Sequence, residues 1–412
     1  MQLNIKRLKA ACYSSSFTMS VVGNLSPLLF LTFRELYGIS YSLLGTLVLI
    51  NFVTQLGIDL IFSFFSHKFN IHLTVKLMPC IGAVGLLIYG LTPWIMPNNI
   101  YLGLVIGTVI FSLGAGLAEV LISPIIAALP ADDPDREMSK LHSVYAWGVV
   151  FFVVVFTVFI KLLGRNYWQW LVFGFALIPI MSALLFSNAK MPKMETTNKV
   201  SGALNQFKNK TLWLCVIAIF IGGASEITMS QWASSYLEQS LGISKVWGDI
   251  FGVAMFAITL GIGRTLYSKI GKNITKVILL GAIGATLCYL VAAVSNVAII
   301  GLLACGFTGL CTSMMWPGML MVATEKFPHG GVFMFALMAA GGDLGASVGP
   351  QLVGVITDTT MALPGALKLA ADWGLSPEQL GMKLGMLCGM LFPLIGIFIY
   401  SILYKQRKNS VG

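Results

Sequence analysis

Twelve apolar runs of membrane-spanning length constrain this chain more than any other feature. A helix needs about 20 apolar residues to cross a bilayer, and only helices or closed barrels can span lipid. The runs are too long and too continuously apolar for the alternating strands of a barrel. We therefore expect an all-α membrane protein with twelve transmembrane helices, at residues 11–33, 41–65, 73–95, 100–129, 138–163, 167–188, 210–238, 245–268, 274–294, 296–325, 331–358 and 378–404.

The composition excludes several other classes of protein. Of the 412 residues, 57% are hydrophobic and 10% are charged, whereas soluble domains carry about 25% charged residues. A soluble enzyme, a disordered chain and a secreted disulfide scaffold are therefore ruled out. The seven cysteines lie inside apolar runs without metal-ligand spacing, so we interpret them as packing residues. The sequence contains no phosphate-binding loop, nucleophile elbow or His/Cys ligand cluster. It therefore does not support an ATP-driven pump, a hydrolase or any other enzyme. We expect no metal and no cofactor.

Basic residues set the expected orientation. If the N-terminus is cytoplasmic, 20 of the 26 Lys and Arg residues fall in segments on that side of the membrane and six fall on the other. Cytoplasmic loops carry such an excess. We therefore expect a multi-pass protein of the cell membrane (inner or plasma membrane) with both termini cytoplasmic. The same bias explains the net charge of +10 without a nucleic-acid partner.

A polar stretch at the midpoint divides the chain into two six-helix halves. We predict an N-terminal half at residues 1–188, a cytoplasmic central loop at 189–209 and a C-terminal half at 210–412. Gly116 and Pro124 in span 4 recur 193 residues later as Gly309 and Pro317 in span 10. Matching Pro-interrupted helices in two halves are typical of transporters built from repeats, although a coincidence between two Gly- and Pro-containing helices is the alternative.

Four carboxylates lie inside the predicted spans, whereas every Lys and Arg is assigned to a loop or a helix end. They are Asp59 in span 2, Glu119 in span 4, Glu226 in span 7 and Asp343 in span 11. An ionisable group at such a depth is costly unless it faces the bundle interior, and it indicates function. With no cation at equal depth, burial favours the protonated form, so we predict that these carboxylates carry protons. For Asp59, near the cytoplasmic end of its span, a structural or gating hydrogen bond is the alternative.

Polar residues also recur at helical spacing on these spans. Span 2 has one at every fourth position, namely Asn51, Gln55, Asp59 and Ser63, and such residues share one helix face. The stripes predict inward-facing polar surfaces, with helix packing as the alternative for most Ser and Gly. A tryptophan inside a span is a candidate for stacking on a sugar-like or aromatic ligand, with core packing as the alternative. The candidate substrate contacts from these patterns are Asn24, Gln55, Gln231, Trp232 and Trp316.

Two loops carry degenerate copies of one pattern. Residues 63–72 read SFFSHKFNIH, and residues 263–272, after span 8, read GRTLYSKIGK. Together with twelve spans in two halves, they resemble the major facilitator superfamily, whose loop between spans 2 and 3 has a pattern like Gly-x-Leu-x-Asp-Arg-x-Gly-Arg-Arg. The resemblance implies the major facilitator fold, with two pseudo-symmetric halves around a central cavity. It also implies gating roles for His67, Lys68 and Arg264.

A sharper resemblance covers spans 4 and 5. Residues 116–124 read GLAEVLISP and residues 141–148 read LHSVYAWG. They are similar to the Gly-x-x-Glu-x-x-x-Asn-Pro and Leu-His-x-x-Tyr-x-x-Gly segments of the fucose/galactose/glucose:proton symporter branch. The resemblance implies that Glu119 couples protons and contacts sugar, and we include Ser123, His142 and Tyr145 of the same segments among the candidate substrate contacts. A proton relay is a second interpretation of His142, because imidazole titrates near neutral pH, and a hydrogen-bonded group at the helix end is the alternative. Ser123 replaces the usual Asn, and Pro27 stands where the fucose symporter has an acidic residue.

We expect a secondary active transporter that takes up a small polar organic solute, such as a sugar, by alternating access. Its partners would be the substrate, a coupling proton (or sodium ion) and the lipid bilayer, and it would act as a monomer. The nearest alternative is a proton-driven efflux antiporter for amphipathic compounds, although the Asn, Gln and Ser stripes favour a polar cargo. A non-transporting receptor or a lipid scramblase on the same scaffold is the remaining alternative.

Overall fold

The computed structural model describes residues 4–39, 41–192, 208–243, 252 and 254–411. Apart from short turns and two 3₁₀ helices (Ser66–Lys68 and Arg165–Tyr167), these residues form α-helices. In chain order they are α1 (Ile5–Tyr37), α2 (Tyr41–Phe65), α3 (Ile71–Ile95), α4 (Ile100–Ala127), α5 (Pro134–Leu163), α6 (Trp168–Ser187), α7 (Lys210–Leu241), α8 (Met255–Ile270), α9 (Ile274–Val294), α10 (Ala298–Thr312), α11 (Met315–Lys326), α12 (Gly331–Ala362), α13 (Pro364–Asp372) and α14 (Pro377–Val411).

Several helices begin where the sequence supplies an N-cap. The side chains of Asn70, Asn99 and Asp133 accept hydrogen bonds from the backbone N–H three residues ahead, at the starts of α3, α4 and α5. Each satisfies an N–H that the first turn of a helix leaves without a partner. Pro134 follows Asp133 at the first helical position, where its missing N–H costs nothing. These polar residues therefore fix the ends of the apolar runs.

The predicted spans agree with the helices, and the all-α membrane architecture is confirmed. Among the described residues, ten helical segments are long and apolar enough to cross a membrane, with α10 and α11 counted as one segment. Together with α1 and α8 they correspond to the twelve predicted runs. Two details differ. The predicted span 296–325 is broken into α10 and α11, because Pro317 lacks the N–H that a continuous helix would need. The predicted loop after span 11 contains the short helix α13. The start of predicted span 8 lies outside the described residues.

The chain divides into two compact units. The N-terminal unit comprises Met1–Lys208 and Phe327–Ala340, and the C-terminal unit comprises Asn209–Lys326 and Gly341–Gly412. In the N-terminal unit, α1 packs on α4, α5 and α6, α2 packs on α4, and α3 packs on α4 and α6. One buried hydrophobic cluster of this unit contains Phe33, Tyr89, Phe111 and Trp168, which brings together residues of α1, α3, α4 and α6.

The C-terminal unit repeats this pattern of packing. Its first helix, α7, packs on α10 and α14, α8 packs on α10, and α9 packs on α10 and α14. Gly116 and Gly309 have equivalent places in the two units. A Cβ on Gly116 of α4 would lie 3.1 Å from Gln55 Cα of α2, and a Cβ on Gly309 of α10 would lie 2.2 Å from the Phe256 carbonyl oxygen of α8. In each unit, a glycine therefore lets the fourth span approach the second closely.

Candidate functional site

Two predicted proton carriers come together in the N-terminal unit. A carboxylate oxygen of Asp59 on α2 lies within 4.8 Å of one of Glu119 on α4. Asp59 is fully buried and Glu119 is partly buried. Asp59 is six residues from the end of α2 and Glu119 eight from the end of α4, so they lie about 9 and 12 Å from the same end of the bundle. The close crossing of α2 and α4 at Gly116 allows this approach.

Two carboxylates at this separation interact strongly. At 4.8 Å, two negative charges repel each other by about 3.5 kcal/mol at an effective dielectric constant near 20. Water reduces this repulsion little around Asp59, because the side chain is 0% exposed. A single proton placed on the pair removes the repulsion. The geometry therefore suits a pair of carboxyl groups that shares one proton.

A hydrogen-bonded amide cluster precedes this pair on the same helix face. The Gln55 side-chain nitrogen donates to Asn51 Oδ1 over 2.9 Å, and the Ser112 hydroxyl donates to the same oxygen over 2.6 Å. All three residues are buried. The shared Asn51 oxygen thus links α2 to α4 and orients the Gln55 carboxamide, one helical turn before Asp59.

The candidates implied by the span 4–5 resemblance lie on neighbouring helices. Ser123 is buried on α4, one turn beyond Glu119. His142 and Tyr145 are partly buried on one face of α5. The Tyr145 hydroxyl is 3.6 Å from the position of a Cβ on Gly23, which places it beside the turn of α1 that carries Asn24.

The remaining candidates of the N-terminal unit include an internally bonded amide and a loop pair. The Asn24 side-chain nitrogen donates to the Ser20 carbonyl of its own helix over 2.9 Å. His67 and Lys68 form the 3₁₀ helix after α2. Lys68 is exposed, and its ammonium lies 5.0 Å from the centre of the Phe65 ring. The two loop residues therefore lie outside the cluster around Glu119.

The C-terminal unit places a cation beside its deep carboxylate. One terminal nitrogen of Arg264 on α8 donates to both carboxylate oxygens of Glu226 on α7, over 3.0 and 2.9 Å. Both residues are buried, with 3% of Arg264 and 6% of Glu226 exposed. The expectation that no basic residue lies at the depth of Glu226 is therefore wrong. Gly263 lets α8 approach Ser313 closely, so the Arg264 guanidinium is buried between α7 and the break that separates α10 from α11.

A second basic residue is also buried against expectation. Lys383 is one of the basic residues that the sequence places in a loop or at a helix end, but it lies inside α14 and is 6% exposed. Its ammonium donates to the carbonyl oxygens of Ala293 and Ser295 over 3.2 and 2.5 Å. These carbonyls end α9, where the helix dipole favours a cation. The burial of Lys383 is therefore explained by its hydrogen bonds to the end of α9.

Arg264 also contacts the break between α10 and α11. Its Nε donates to the Ser313 carbonyl oxygen over 2.9 Å. In a continuous helix this carbonyl would accept from the N–H of residue 317, but that residue is proline and has none. A Cβ on Gly263 would lie 2.2 Å from the Ser313 hydroxyl oxygen, so only glycine allows α8 to come this close.

The predicted tryptophans of the C-terminal unit pack against its helices. The Trp316 ring lies against Gly342 of α12, where a Cβ would be 2.3 Å from the ring, and against Gly223 of α7 at 3.1 Å. The Trp232 ring nitrogen donates to the Pro350 carbonyl over 2.9 Å.

The two other candidates of the C-terminal unit differ in burial. Gln231 on α7 is exposed, whereas Asp343 on α12 is buried, with 8% of the residue exposed.

Three contributors to these clusters were missing from the predicted site. Asn51 and Ser112 belong to the polar stripes, and their spacing on α2 and α4 was the available signal. No feature of the Ser313 residue itself indicated a contact with Arg264. The signal was Pro317 four residues later, which removes the hydrogen-bond donor of the Ser313 carbonyl.

Comparisons with known proteins agree on the family and the fold. The family model described as Major Facilitator Superfamily matches residues 11–350. No curated protein matches the sequence significantly. A solved structure of a variant of the E. coli fucose:proton symporter FucP has a TM-score of 0.74 at 14% identity, and the match covers 96% of this chain and 99% of that chain.

Two further solved structures have the same fold. FucP in the outward conformation has a TM-score of 0.74 at 14% identity, with 94% of this chain and 98% of that chain covered. The proton:xylose symporter XylE, bound to 6-bromo-6-deoxy-D-glucose, has a TM-score of 0.71 at 15% identity, with 96% and 94% covered. Such likeness at low identity shows the fold, and it confirms the predicted major facilitator architecture.

Proposed function

Because the chain belongs to the Major Facilitator Superfamily, a family of transporters, we propose that it takes up a small polar organic solute together with a proton by alternating access. A sugar is the substrate class we favour. The protein is an integral membrane protein, and we place it in the cell membrane as a monomer with both termini cytoplasmic. We also retain residues 1–188, 189–209 and 210–412 as its two halves and central loop.

The observation that carries the proposal is the carboxyl pair of the N-terminal unit. Asp59 and Glu119 approach within 4.8 Å, and burial makes simultaneous ionisation costly. In our proposal, one proton binds to this pair when it faces one side of the membrane and leaves on the other. Proton movement across the membrane is then tied to the conformational change that turns the pair from one side to the other, as a proton-coupled transporter requires.

The substrate class is supported by the chemistry around this pair. Sugar hydroxyls are recognised by amide, hydroxyl and aromatic groups. Gln55, Ser123 and Tyr145 supply such groups in the N-terminal unit, together with Asn24 and His142. Similar structures belong to fucose:proton and proton:xylose symporters. We propose that in the C-terminal unit Gln231, Trp232 and Trp316 contact substrate.

The other predicted charged residues receive different roles in this proposal. Glu226 acts as the counter-ion of Arg264, because protonating it would leave a buried guanidinium without its charge partner. Asp343 remains a candidate coupling group of the C-terminal unit. His67 and Lys68 remain candidates for gating at the loop after α2.

Transport into proteoliposomes tests the proposal. A pH-sensitive dye in the lumen should report acidification when L-fucose, D-xylose or D-glucose is added outside. Glu119→Gln should abolish acidification, because an amide cannot take up the proton, and Asp59→Asn should impair it strongly. Glu378→Gln is the matched control, since Glu378 is a partly exposed carboxylate in the first turn of α14, away from the carboxyl pair.

The outcomes separate the alternatives. Acidification that persists in Glu119→Gln would remove Glu119 from the coupling mechanism. Uptake that needs sodium, and stops when choline replaces it, would assign the coupling to sodium instead. Expulsion of an amphipathic dye driven by an inward proton gradient, without uptake of any sugar, would identify an efflux antiporter.

A further inference from the structure

Hydrogen bonds from Arg264 to two other helical regions explain its position better than a gating role in a loop. One is the Glu226 carboxylate on α7, and the other is the Ser313 carbonyl between α10 and α11. Arginine can serve both, because its guanidinium carries five N–H donors in a fixed plane. A lysine has a single ammonium and cannot reproduce this arrangement.

The Ser313 carbonyl needs a donor for a reason that lies in the sequence. Pro317 removes the backbone N–H that would bond to it in a continuous helix. Regular bonding resumes with the next residue, since the Gly318 N–H donates to the Met314 carbonyl over 2.9 Å. A buried carbonyl without a donor costs about 1–3 kcal/mol. Arg264 Nε supplies the missing donor.

The geometry of the break determines where Trp316 lies. Trp316 follows Ser313 by three residues, and its ring rests on Gly342 and Gly223. Rotation of α11 about the break would move this ring off the two glycines. Gly263 permits the contact that prevents rotation, since a Cβ there would collide with the Ser313 side chain at 2.2 and 2.7 Å.

We propose that Arg264 is a positioning residue, which replaces the helix hydrogen bond removed by Pro317 and thereby fixes the break and the Trp316 ring. Glu226 holds the guanidinium in place and balances its charge. The effect on substrate recognition rests on the proposed transport function, because Trp316 is a substrate contact only in that proposal. The effect on the break does not depend on it.

Restoring the missing backbone donor provides the sharpest test. The double variant Glu226→Gln/Arg264→Gln removes both charges together, so neither is left unpaired, and it weakens the bond to Ser313. Adding Pro317→Ala returns an N–H that can bond to the Ser313 carbonyl. Adding Pro393→Ala instead is the matched control, because Pro393 is a proline inside α14 away from the break.

Hydrogen–deuterium exchange of full-length protein in nanodiscs measures the break directly. In the double variant, amides of residues 314–320 should exchange about fivefold to tenfold faster than in the wild type, which corresponds to the loss of one hydrogen bond. Pro317→Ala should bring the rate back to within about twofold, and Pro393→Ala should not. Unchanged exchange in the double variant would overturn the proposal. Equal recovery with Pro317→Ala and with Pro393→Ala, each added separately, would overturn it as well.

A second variant keeps the test decisive if the double variant does not fold. Arg264→Lys retains a positive charge opposite Glu226 but has a methylene group in place of Nε, the atom that bonds to the Ser313 carbonyl, so exchange should rise at 314–320 and stay unchanged in the rest of α8. Unchanged exchange at 314–320 in this variant would overturn the proposal as well.

Uptake kinetics connect the break to transport. With whichever of L-fucose, D-xylose or D-glucose the wild type transports, Arg264→Lys should raise KM more than it lowers kcat, and Pro317→Ala should partly reverse the change. A fall in kcat alone would remove Trp316 positioning from the proposal. If the wild type transports none of these sugars, the exchange result still decides the role of Arg264, so failure of the two proposals is distinguishable.

Discussion

The second helix of each unit carries one buried charged residue, and the two have opposite sign. On α2 it is Asp59, and its neighbour is another carboxylate, Glu119. On α8 it is Arg264, and its neighbour is the carboxylate of Glu226. The helices around them pack in the same pattern. One architecture therefore holds two kinds of charge pair.

The two pairs differ in the protonation that each arrangement favours. Two carboxylates in a dry site favour uptake of a proton, and loss of that proton restores repulsion. A carboxylate and a guanidinium in contact favour staying ionised together, because either one alone would be buried and uncompensated. In the proposed transport cycle the N-terminal pair changes its protonation, whereas the C-terminal pair stays ionised and connects α7 to α8.

The largest effect on stability is expected from breaking the fixed pair. Arg264→Met should lower the free energy of unfolding by about 3–5 kcal/mol, because it leaves Glu226 buried without its partner. Lys383→Met is the matched control. It removes another buried cation of the same unit, but no carboxylate is left behind, so the loss should be about 1–2 kcal/mol. Denaturant titration in detergent micelles measures both, and equal losses would contradict the role given to Glu226.

Removing one carboxylate from each pair should give effects of different size. Glu226→Gln should destabilise the protein by about 2 kcal/mol, since Arg264 keeps a hydrogen-bond acceptor but loses its counter-ion. Asp59→Asn should change stability by less than about 1 kcal/mol, since a pair that shares one proton leaves no buried charge uncompensated when one carboxyl becomes an amide. The same titration applies. A destabilisation by Asp59→Asn as large as that of Glu226→Gln would show that the two pairs do not differ.

The equivalent glycines sharpen the comparison at the backbone. Gly309→Ala would place a methyl group 2.2 Å from the Phe256 carbonyl oxygen, whereas Gly116→Ala meets its nearest atom at 3.1 Å. Overpacking costs about 1–3 kcal/mol, so we expect Gly309→Ala near the upper figure and Gly116→Ala near or below the lower one. Thermal unfolding of the two variants side by side measures the difference, and the reverse order would mean that the two crossings are not equivalent.

The sequence predicted the helices better than their contacts. Bilayer thickness imposes apolar runs of nearly fixed length, so the ends of α2, α3, α4 and α9 fall within two residues of the predicted ends. Hydropathy averages over about one span, however, and does not register the break at Ser313. Pro317 indicates a break at this place, but the sequence does not show which atom replaces the lost hydrogen-bond donor.

Pairing between charged residues was the least predictable feature. Glu226 and Arg264 are 38 residues apart, and nothing local to either of them indicates the other. Arg264 lies near the end of its predicted span, where a guanidinium ordinarily reaches water. The approach of Asp59 to Glu119 depends on how α2 crosses α4. The stripe at Asn51, Gln55 and Asp59 predicted the face, but not the partner.

The smallest expected effect concerns the amide cluster that connects α2 to α4. Ser112→Ala should lower the free energy of unfolding by about 1 kcal/mol, the net value of one hydrogen bond. In a double-mutant cycle with Asn51→Ala, the coupling energy should be about 0.5–1.5 kcal/mol, because Ser112 and Asn51 bond directly. Ser123→Ala with Asn51→Ala is the control cycle, and its coupling should be close to zero. If Ser112→Ala also lowered substrate affinity, orientation of the Gln55 carboxamide would be part of substrate recognition. Unchanged affinity in Ser112→Ala would separate the cluster from recognition and leave it a structural link between the two helices.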